Sequence, residues 1–228
     1  MNTLFNPPPK RETLGANVLS QIKELLLTGQ VEPGEQLSLR STAEALGVSM
    51  MPVREAVYQL VADQALEVAP NRSVRVPVMT AAQFHEITQI RLQVEGYAVE
   101  QATQHVTPAL VGALRHINAE LSARMDEGGG SLAQAILLNK SLHFSLYEAA
   151  GMPMLVKIIE SLWLRIGPVL NYDLRAGSER TRNKTAVVHH THLIDALEAG
   201  NAAGAAKALR QDIDSAYQHI VAKHYATP

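Results

Sequence analysis

From Thr80 to about residue 222 the chain carries one kind of pattern, apolar residues recurring at helical spacing and interrupted by Pro and Gly. Pro108, the Gly128-Gly129-Gly130 run, Gly151-Met152-Pro153, Gly177 and Gly200-Asn201 divide it into six stretches, near 80–105, 107–127, 131–150, 153–175, 178–199 and 201–222. A segment this long without strand alternation buries its apolar stripes by packing helix on helix. Composition agrees. Aromatic residues make up 4% of the 228, apolar residues 46% and charged residues 18%, which fits a filled helical core and excludes a disordered chain.

The first 78 residues read differently. Asn6-Pro7-Pro8-Pro9 has no period, and residues 1–12 are expected to form a flexible arm. Leu14, Val18, Ile22, Leu25 and Leu26 make a helical stripe that stops at Gly29. Pro33-Gly34 punctuates a turn, a short helix follows from about Ser38 to Leu46, and Gly47 ends it. Ser49 is a fitting N-cap for a third helix, with Pro52 in its first turn and Val53, Val57, Leu60 and Val61 on one face. Residues 66–69 and 73–78 are β-prone, and Pro70-Asn71-Arg72 is the hairpin tip between them. Three helices followed by a two-stranded ribbon outline a winged helix-turn-helix. The expected organisation is therefore mainly α: a winged helix-turn-helix over residues 13–78, then an all-α bundle of six to seven helices over 79–224. The short joint at Pro77–Thr80 predicts that the two parts touch.

Several functional classes fall at this point. Cysteine is absent, which removes disulfide frameworks, thiolate metal sites and catalytic thiols. No apolar run approaches the roughly 18 residues of a membrane span, and the opening residues lack a signal-peptide core, so a cytoplasmic protein is expected. Net charge is −2, and the first 78 residues hold seven Lys and Arg against eight Asp and Glu. Any contact with DNA must therefore rest on where particular arginines point. All nine histidines lie at or beyond His85, so imidazole chemistry belongs to the second part.

Pro33-Gly34, Leu37, Arg40, Ala43, Leu46, Gly47-Val48-Ser49 and Pro52-Val53-Arg54-Glu55-Ala56-Val57 resemble, over about residues 14–78, the pattern of the GntR superfamily of bacterial transcription regulators. That resemblance implies base-contacting roles for Arg40 and Arg54. The residues support it independently: Arg54 lies near the start of the third helix, opposite Val53 and Val57, and Arg matches guanine O6 and N7. Ser49 at the helix N-terminus suits a phosphate, and Arg72 at the wing tip is placed to reach the duplex flank. The competing reading makes Arg54 a surface arginine paired with Glu55 or Asp63; Glu55 itself is expected to anchor the fold. Two positions depart from the family pattern. Met50, followed by Met51, stands where Arg or another polar residue is common, so the operator should differ, with Met50 able to touch a thymine methyl. Asn71 replaces the usual wing glycine and tolerates positive φ.

Ile87/Arg91/Glu95, Asn139/His143, Tyr147-Glu148-Ala149-Ala150-Gly151 and His190/Leu193/Ile194/Asp195/Ala196/Leu197 resemble, in order, the hallmarks of the FCD domain, the all-helical effector-binding partner of one GntR subfamily. At 100° per residue, Arg91, Asn139, His143, His190 and Asp212 all fall within apolar stripes. Burying them unpaired would cost roughly 2–7 kcal/mol each, so a common destination inside the bundle is expected. The resemblance implies a metal site of Asp, His, His and His, the last 22 positions after the third-hallmark histidine. Here those positions hold Asn139, His143, His190 and Asp212. Zn²⁺, Mn²⁺, Fe²⁺ or Ni²⁺ would suit such a set. The alternative makes His143 and His190 core histidines without a metal, with Asp212 salt-bridged to Arg91 or Arg165. Arg91 and Arg165 are candidates for clamping a carboxylate ligand, or else internal partners of Glu95 and Glu160. His189 and His192 fall off the stripe and are expected to be solvated; His219 shares the Asp212 face as a reserve ligand.

Together these features predict a ligand-responsive DNA-binding regulator, not an enzyme. The simplest form is a repressor that binds a near-palindromic operator as a homodimer and senses a small organic acid. Three alternatives stay open: a direct metal sensor, a metal-free sensor of an acyl or apolar ligand, and a metalloenzyme.

Overall fold

A computed structural model describes residues 14–175 and 178–225, with the side chains of 172–175 left out. The expected flexible arm, residues 1–12, and the Gly177 break lie outside the described residues. Helix α1 (Leu14–Leu27) buries Val18, Ile22, Leu26 and Leu27. Helix α2 (Leu39–Leu46) starts at Ser38, whose side chain accepts from the Ser41 amide, and stops at Gly47, whose φ of 65° is the left-handed cap that glycine adopts without strain. Helix α3 (Met50–Ala62) buries Val53, Ala56, Val57 and Leu60, one contiguous face.

The wing holds one strand more than expected. Strands β1 (Gln36–Leu37), β2 (Glu67–Val68) and β3 (Val74–Arg75) form an antiparallel sheet in the order β1-β3-β2. Arg75 pairs with Gln36 on one side and Glu67 on the other. A two-residue strand is too short to display alternation, which is why β1 is silent in the sequence. The positive φ of the tip falls on Arg72, at 65°, and not on Asn71. Asn71 instead turns its side chain inward, Oδ1 accepting from the Ser73 amide at 3.1 Å and the Ser73 hydroxyl at 2.7 Å.

The second part is a bundle of α4 (Ala81–Ala102), α5 (Pro108–Glu127), α6 (Ser131–Ala149), α7 (Pro153–Arg175), α8 (Glu179–Arg182), α9 (Thr185–Glu198) and α10 (Ala202–Ile220). A capping box between Thr80 and Gln83 starts α4, immediately after the joint. The expected helix over 178–199 splits in two because Lys184 takes a φ of 50°, while Ser178 caps the four residues of α8 on its own. The fold is thus mainly α, an N-terminal winged helix-turn-helix followed by a seven-helix bundle.

The two parts share a core. Val18, Ile22, Val57 and Leu60 belong to the same buried cluster as Tyr147, Ile159, Trp163 and Leu193. At the rim Lys23 pairs with Glu160 at 3.0 Å, Lys140 pairs with Glu24, and Asn171 Nδ2 donates to the Leu27 carbonyl at 2.9 Å. Helix α6 therefore touches the first part through Lys140, three residues before His143. Among the described residues no helix is long and apolar enough to cross a membrane.

Candidate DNA-reading face and candidate metal site

Helix α3 packs one face on α1 and leaves the opposite face bare. Met51 is 62% and Tyr58 is 62% exposed, with Arg54 exposed between them. Neither Arg54 nor Glu55 forms an ion pair among the described residues, so the pairing of Arg54 with Glu55 or Asp63 is not seen there. Ser49 occupies the N-cap position, yet its hydroxyl makes no cap bond. That leaves an uncommitted hydroxyl at a helix N-terminus, where an oxyanion is favoured. Met50 is exposed beside it. Arg40 stands at the start of α2, held only by Glu44 at 3.0 Å, both largely exposed. Such a pair contributes about 0–1 kcal/mol and gives way to a phosphate. Arg72 sits at the wing tip, exposed, on a backbone that a non-glycine residue occupies at some cost. Tyr58, one turn beyond Arg54, went unnoticed in the sequence; it shares the exposed face with Met51 and Arg54.

In the bundle, three of the four expected metal donors converge. His143 from α6, His190 from α9 and Asp212 from α10 are 2%, 0% and 5% exposed. The two Nε2 atoms are 3.3 Å apart, and Asp212 Oδ2 lies 3.4 Å from His143 Nε2 and 3.7 Å from His190 Nε2. Asn139 stands one turn before His143, half-buried, and makes no side-chain hydrogen bond among the described residues. His219 is not one of the converging groups.

The surrounding hydrogen bonds decide which atoms carry protons. Tyr147 Oη gives its proton to Glu95 Oε2 at 2.5 Å, so its oxygen must accept from His143 Nδ1 at 3.1 Å. The Asn118 amide group donates to the Val187 carbonyl and to Thr191 Oγ1, which turns its oxygen toward His190 Nδ1 at 3.2 Å. Both imidazoles therefore carry their proton on Nδ1 and aim an Nε2 lone pair at the shared centre. Electrostatics agree. Burial pushes the His190 pKa down, against the pull of Asp212, so the ring is neutral. Burial alone would raise the Asp212 pKa; the Arg180 charge and the adjacent imidazoles outweigh it and hold the carboxyl well below its usual range. Burial and Glu95 together raise the Tyr147 pKa, keeping it a donor.

Two lone pairs and a carboxylate oxygen facing one another at van der Waals distance repel unless a cation lies between them. Tetrahedral N and O ligands about 2.0–2.2 Å from zinc stand about 3.3–3.6 Å from one another; two of the three separations fall in that range and the third, His190 Nε2 to Asp212 Oδ2, is 3.7 Å. The donor set fits a divalent metal, with each histidine braced from behind.

The expected arginines behave otherwise. Arg91 is buried, but Glu95 takes its Nε at 2.5 Å and its Nη2 at 3.2 Å, while Trp163 lies beneath the guanidinium at 5.1 Å. Glu95 is fully buried and accepts also from Tyr147 and from Trp163 Nε1 at 3.1 Å. The internal pair is thus what Arg91 forms. Arg165 does not join the His143–His190–Asp212 group: it lines a groove of about 320 Å³ with Gln83, Glu67, Pro77 and Met79, between wing and bundle. Trp163 faces His143, and two residues further along a helix is 200° around the axis. Glu160 is accordingly the partner of Lys23, and Asp212 pairs with neither Arg91 nor Arg165 but with Arg180, whose Nη2 lies 2.7 Å from Oδ1. Arg180 carried no sequence signal, since it sits in a four-residue helix; Asn118, a polar residue in the apolar stripe of Val111, Leu114, Leu121 and Met125, carried one that went unnoticed. His192 is exposed as expected, whereas His189 is half-buried.

The family description "Bacterial regulatory proteins, gntR family" matches residues 14–76, and "FCD domain" matches residues 86–215. The chain is a GntR-family transcriptional regulator of the FCD type. The HTH-type transcriptional regulator McbR of Escherichia coli K12 is 33% identical over 213 residues, covering 92% of this chain and 95% of McbR. The solved structure of E. coli McbR/YncC superposes with a TM-score of 0.84 at 30% identity, over 93% of this chain and 99% of that one. A putative GntR regulator from Rhodococcus sp. RHA1 shares the fold, with a TM-score of 0.73 at 22% identity over 92% of this chain and 98% of that one. These relatives are DNA-binding regulators and not enzymes, which removes the metalloenzyme alternative. The bare face of α3 is the candidate DNA-reading surface of such a regulator.

Proposed function

We propose that this GntR-family regulator is an effector-responsive repressor, active in the cytoplasm. Residues 13–78 bind a near-palindromic operator as one half of a homodimer, and residues 79–224 sense a small organic acid beside a divalent metal. Arg54 reads a guanine from α3, Met50 contacts a thymine methyl, and Arg40, Ser49 and Arg72 hold phosphates or flanks. Ile90 and Tyr97, 41% and 44% exposed and two turns apart on α4, favour a second copy as partner. Repression is the simplest mode because a dimer lying over a promoter needs no further contact to act.

The observation that carries the reading is the pair of Nε2 lone pairs facing Asp212 inside a closed bundle. His143, His190 and Asp212 would hold Zn²⁺, Mn²⁺, Fe²⁺ or Ni²⁺, with Asn139 a neighbouring oxygen donor. Bound there, the metal supplies a Lewis-acidic anchor for the oxygen of an organic acid. Tyr147 and Asn118 fix the imidazoles, and Glu95 fixes Tyr147. Effector contact at His143 bears on α6, which reaches α1 through Lys140 and Glu24. A coupling of about 1–3 kcal/mol along that path suffices to change operator occupancy.

One observation favours a second, metal-free reading: Arg180 already gives Asp212 an ionic partner. Chelation separates the two. Purified full-length protein is expected to contain about one divalent ion per chain by elemental analysis, and stripping it should change operator mobility-shift titrations or their response to an organic acid. Protein purified without metal, and refusing zinc on titration, overturns the metal reading and leaves the metal-free sensor.

A further inference from the structure

Arg180 is the one guanidinium at the candidate site that its neighbours do not satisfy. Its Nη2 donates to Asp212 Oδ1 at 2.7 Å and to the Asp212 carbonyl at 3.4 Å. Its Nε is buried with no hydrogen-bond partner. An unpaired buried donor is unfavourable, and a folded site tolerates one where something else completes it. Nε and Nη2 form the side-on fork that matches a carboxylate, and only half of that fork is filled. Asp212 cannot fill the rest, because its second oxygen is turned toward His143 and His190. Arg91 presents the contrast: Glu95 occupies both its Nε and its Nη2.

A second unpaired atom lies nearby. His189 Nδ1, on the residue next to His190 in the chain, is buried without a hydrogen-bond partner. Arg180 reaches the site from α8, the four-residue helix just before α9. Its backbone is pinned there by Ser178 and Thr181, both buried, with the Thr181 amide donating to Ser178 Oγ at 3.3 Å.

We infer that Arg180, with His189 beside it, is the anion-reading end of the effector site, and that the effector is a small carboxylate carrying a second oxygen function. One carboxylate oxygen accepts from Arg180 Nε, and the second function meets His189 or the face of the His143–His190–Asp212 group. This rests on the reading of that group as the effector site. The expected arginines, Arg91 and Arg165, are then scaffold and groove residues, and α8 sets effector choice.

The test uses the full chain, zinc-loaded and metal-free, with malate, citrate and lactate as probes and malamide as the neutral counterpart. Trp163, the only tryptophan, lies 5.3 Å from the His143 ring and reports binding by fluorescence. Zinc affinity is read separately by competition with a chromophoric chelator. At least one acid is expected to bind and malamide not to. Arg180→Gln should weaken that acid by about tenfold or more, Arg180→Lys by less, and Arg165→Gln not at all. Zinc affinity should move by less than about threefold in Arg180→Gln. The inference is overturned if wild type binds none of the acids, if Arg180→Gln retains wild-type acid affinity, or if it loses acid and zinc in parallel, which would make Arg180 a mere brace for Asp212. Failure of the wild type to bind zinc overturns the metal reading instead, and the metal-free titrations then decide Arg180 alone.

Discussion

Gly167 of α7 lies against the carbonyl of Leu26 at the end of α1: a Cβ at that position would fall 2.7 Å from the oxygen and 3.4 Å from the Leu27 Cα. The atoms in the way are backbone, so nothing flexible can yield. One turn further along α7, Asn171 ties the Leu27 carbonyl, and Lys23–Glu160 closes the seam on the solvent side. The winged helix-turn-helix is thus seated on the helical bundle by a contact of backbone with backbone, with no soft side chain between them to absorb a displacement.

Gly167→Ala tests that seam. In a free helix interior the exchange stabilises by about 0.5–1 kcal/mol. Here the overlap with Leu26 should reverse the sign, with a net destabilisation of about 1–3 kcal/mol. Urea unfolding followed by circular dichroism measures it. A variant more stable than wild type would mean that the two helices are not in contact in solution.

Glu95→Gln should be among the most damaging single changes in the bundle. It leaves the Arg91 charge buried without a counter-ion, at about 3–5 kcal/mol. Gln also offers one oxygen to donors from Arg91, Tyr147 and Trp163. The double variant Arg91→Met/Glu95→Gln removes the stranded charge and should recover at least half of the loss. Denaturant midpoints of the two variants give the comparison; equal losses would show that the pair is not coupled.

Much of this was legible in the sequence because helical periodicity and punctuation are local. Ser38, Gly47, Thr80 and Pro108 mark their helix ends wherever the helices pack. The polar residues within apolar stripes were equally readable: His143, His190, Asp212 and Arg91 are all buried. Angular arithmetic places a residue on a face but not at a depth, so Asn139 shared the His143 face and proved only half-buried. It also says nothing of which neighbouring helix a face meets, and Arg165 was lost for that reason. Arg180 was invisible because a four-residue helix has no period, and the positive φ moved from Asn71 to Arg72 because side-chain capping at Asn71 fixed the turn.

Arg72 combines two opposing effects. Its φ of 65° places a residue with a Cβ where glycine sits without strain. Arg72→Gly should leave the protein as stable or up to about 1 kcal/mol more stable, while weakening DNA binding evenly across sequences. Thermal unfolding and mobility shifts on operator and random duplex measure the two separately. Loss of discrimination between the duplexes would instead give Arg72 a base-reading role.

Arg54→Ala should have the opposite signature. Arg54 is exposed and has no ion pair to lose, so stability should stay within about 0.5 kcal/mol of wild type. Operator affinity should fall by about 1–3 kcal/mol, while binding to random duplex falls far less. Competition mobility shifts at fixed salt resolve the ratio; an unchanged ratio removes Arg54 from base reading.

Tyr147→Phe separates bracing from ligation at the candidate metal site. Tyr147 touches no other part of the converging group: its oxygen accepts from His143 Nδ1 and its proton goes to Glu95. Without it the His143 ring loses the bond that fixes its tautomer and orientation, and Glu95 keeps Arg91 and Trp163 as donors. Loss of such an outer partner costs about 10–100-fold in metal affinity, whereas loss of a ligand removes the site. Chelator competition should therefore show Tyr147→Phe binding zinc about tenfold or more weakly, and His190→Ala not at all. The same ordering should appear in thermal shift, because a metal at about 100 times its dissociation constant adds about 2.7 kcal/mol to folding. If Tyr147→Phe binds zinc as the wild type does, the His143 proton is not where this hydrogen-bond chain puts it, and the pair of facing lone pairs is lost with it.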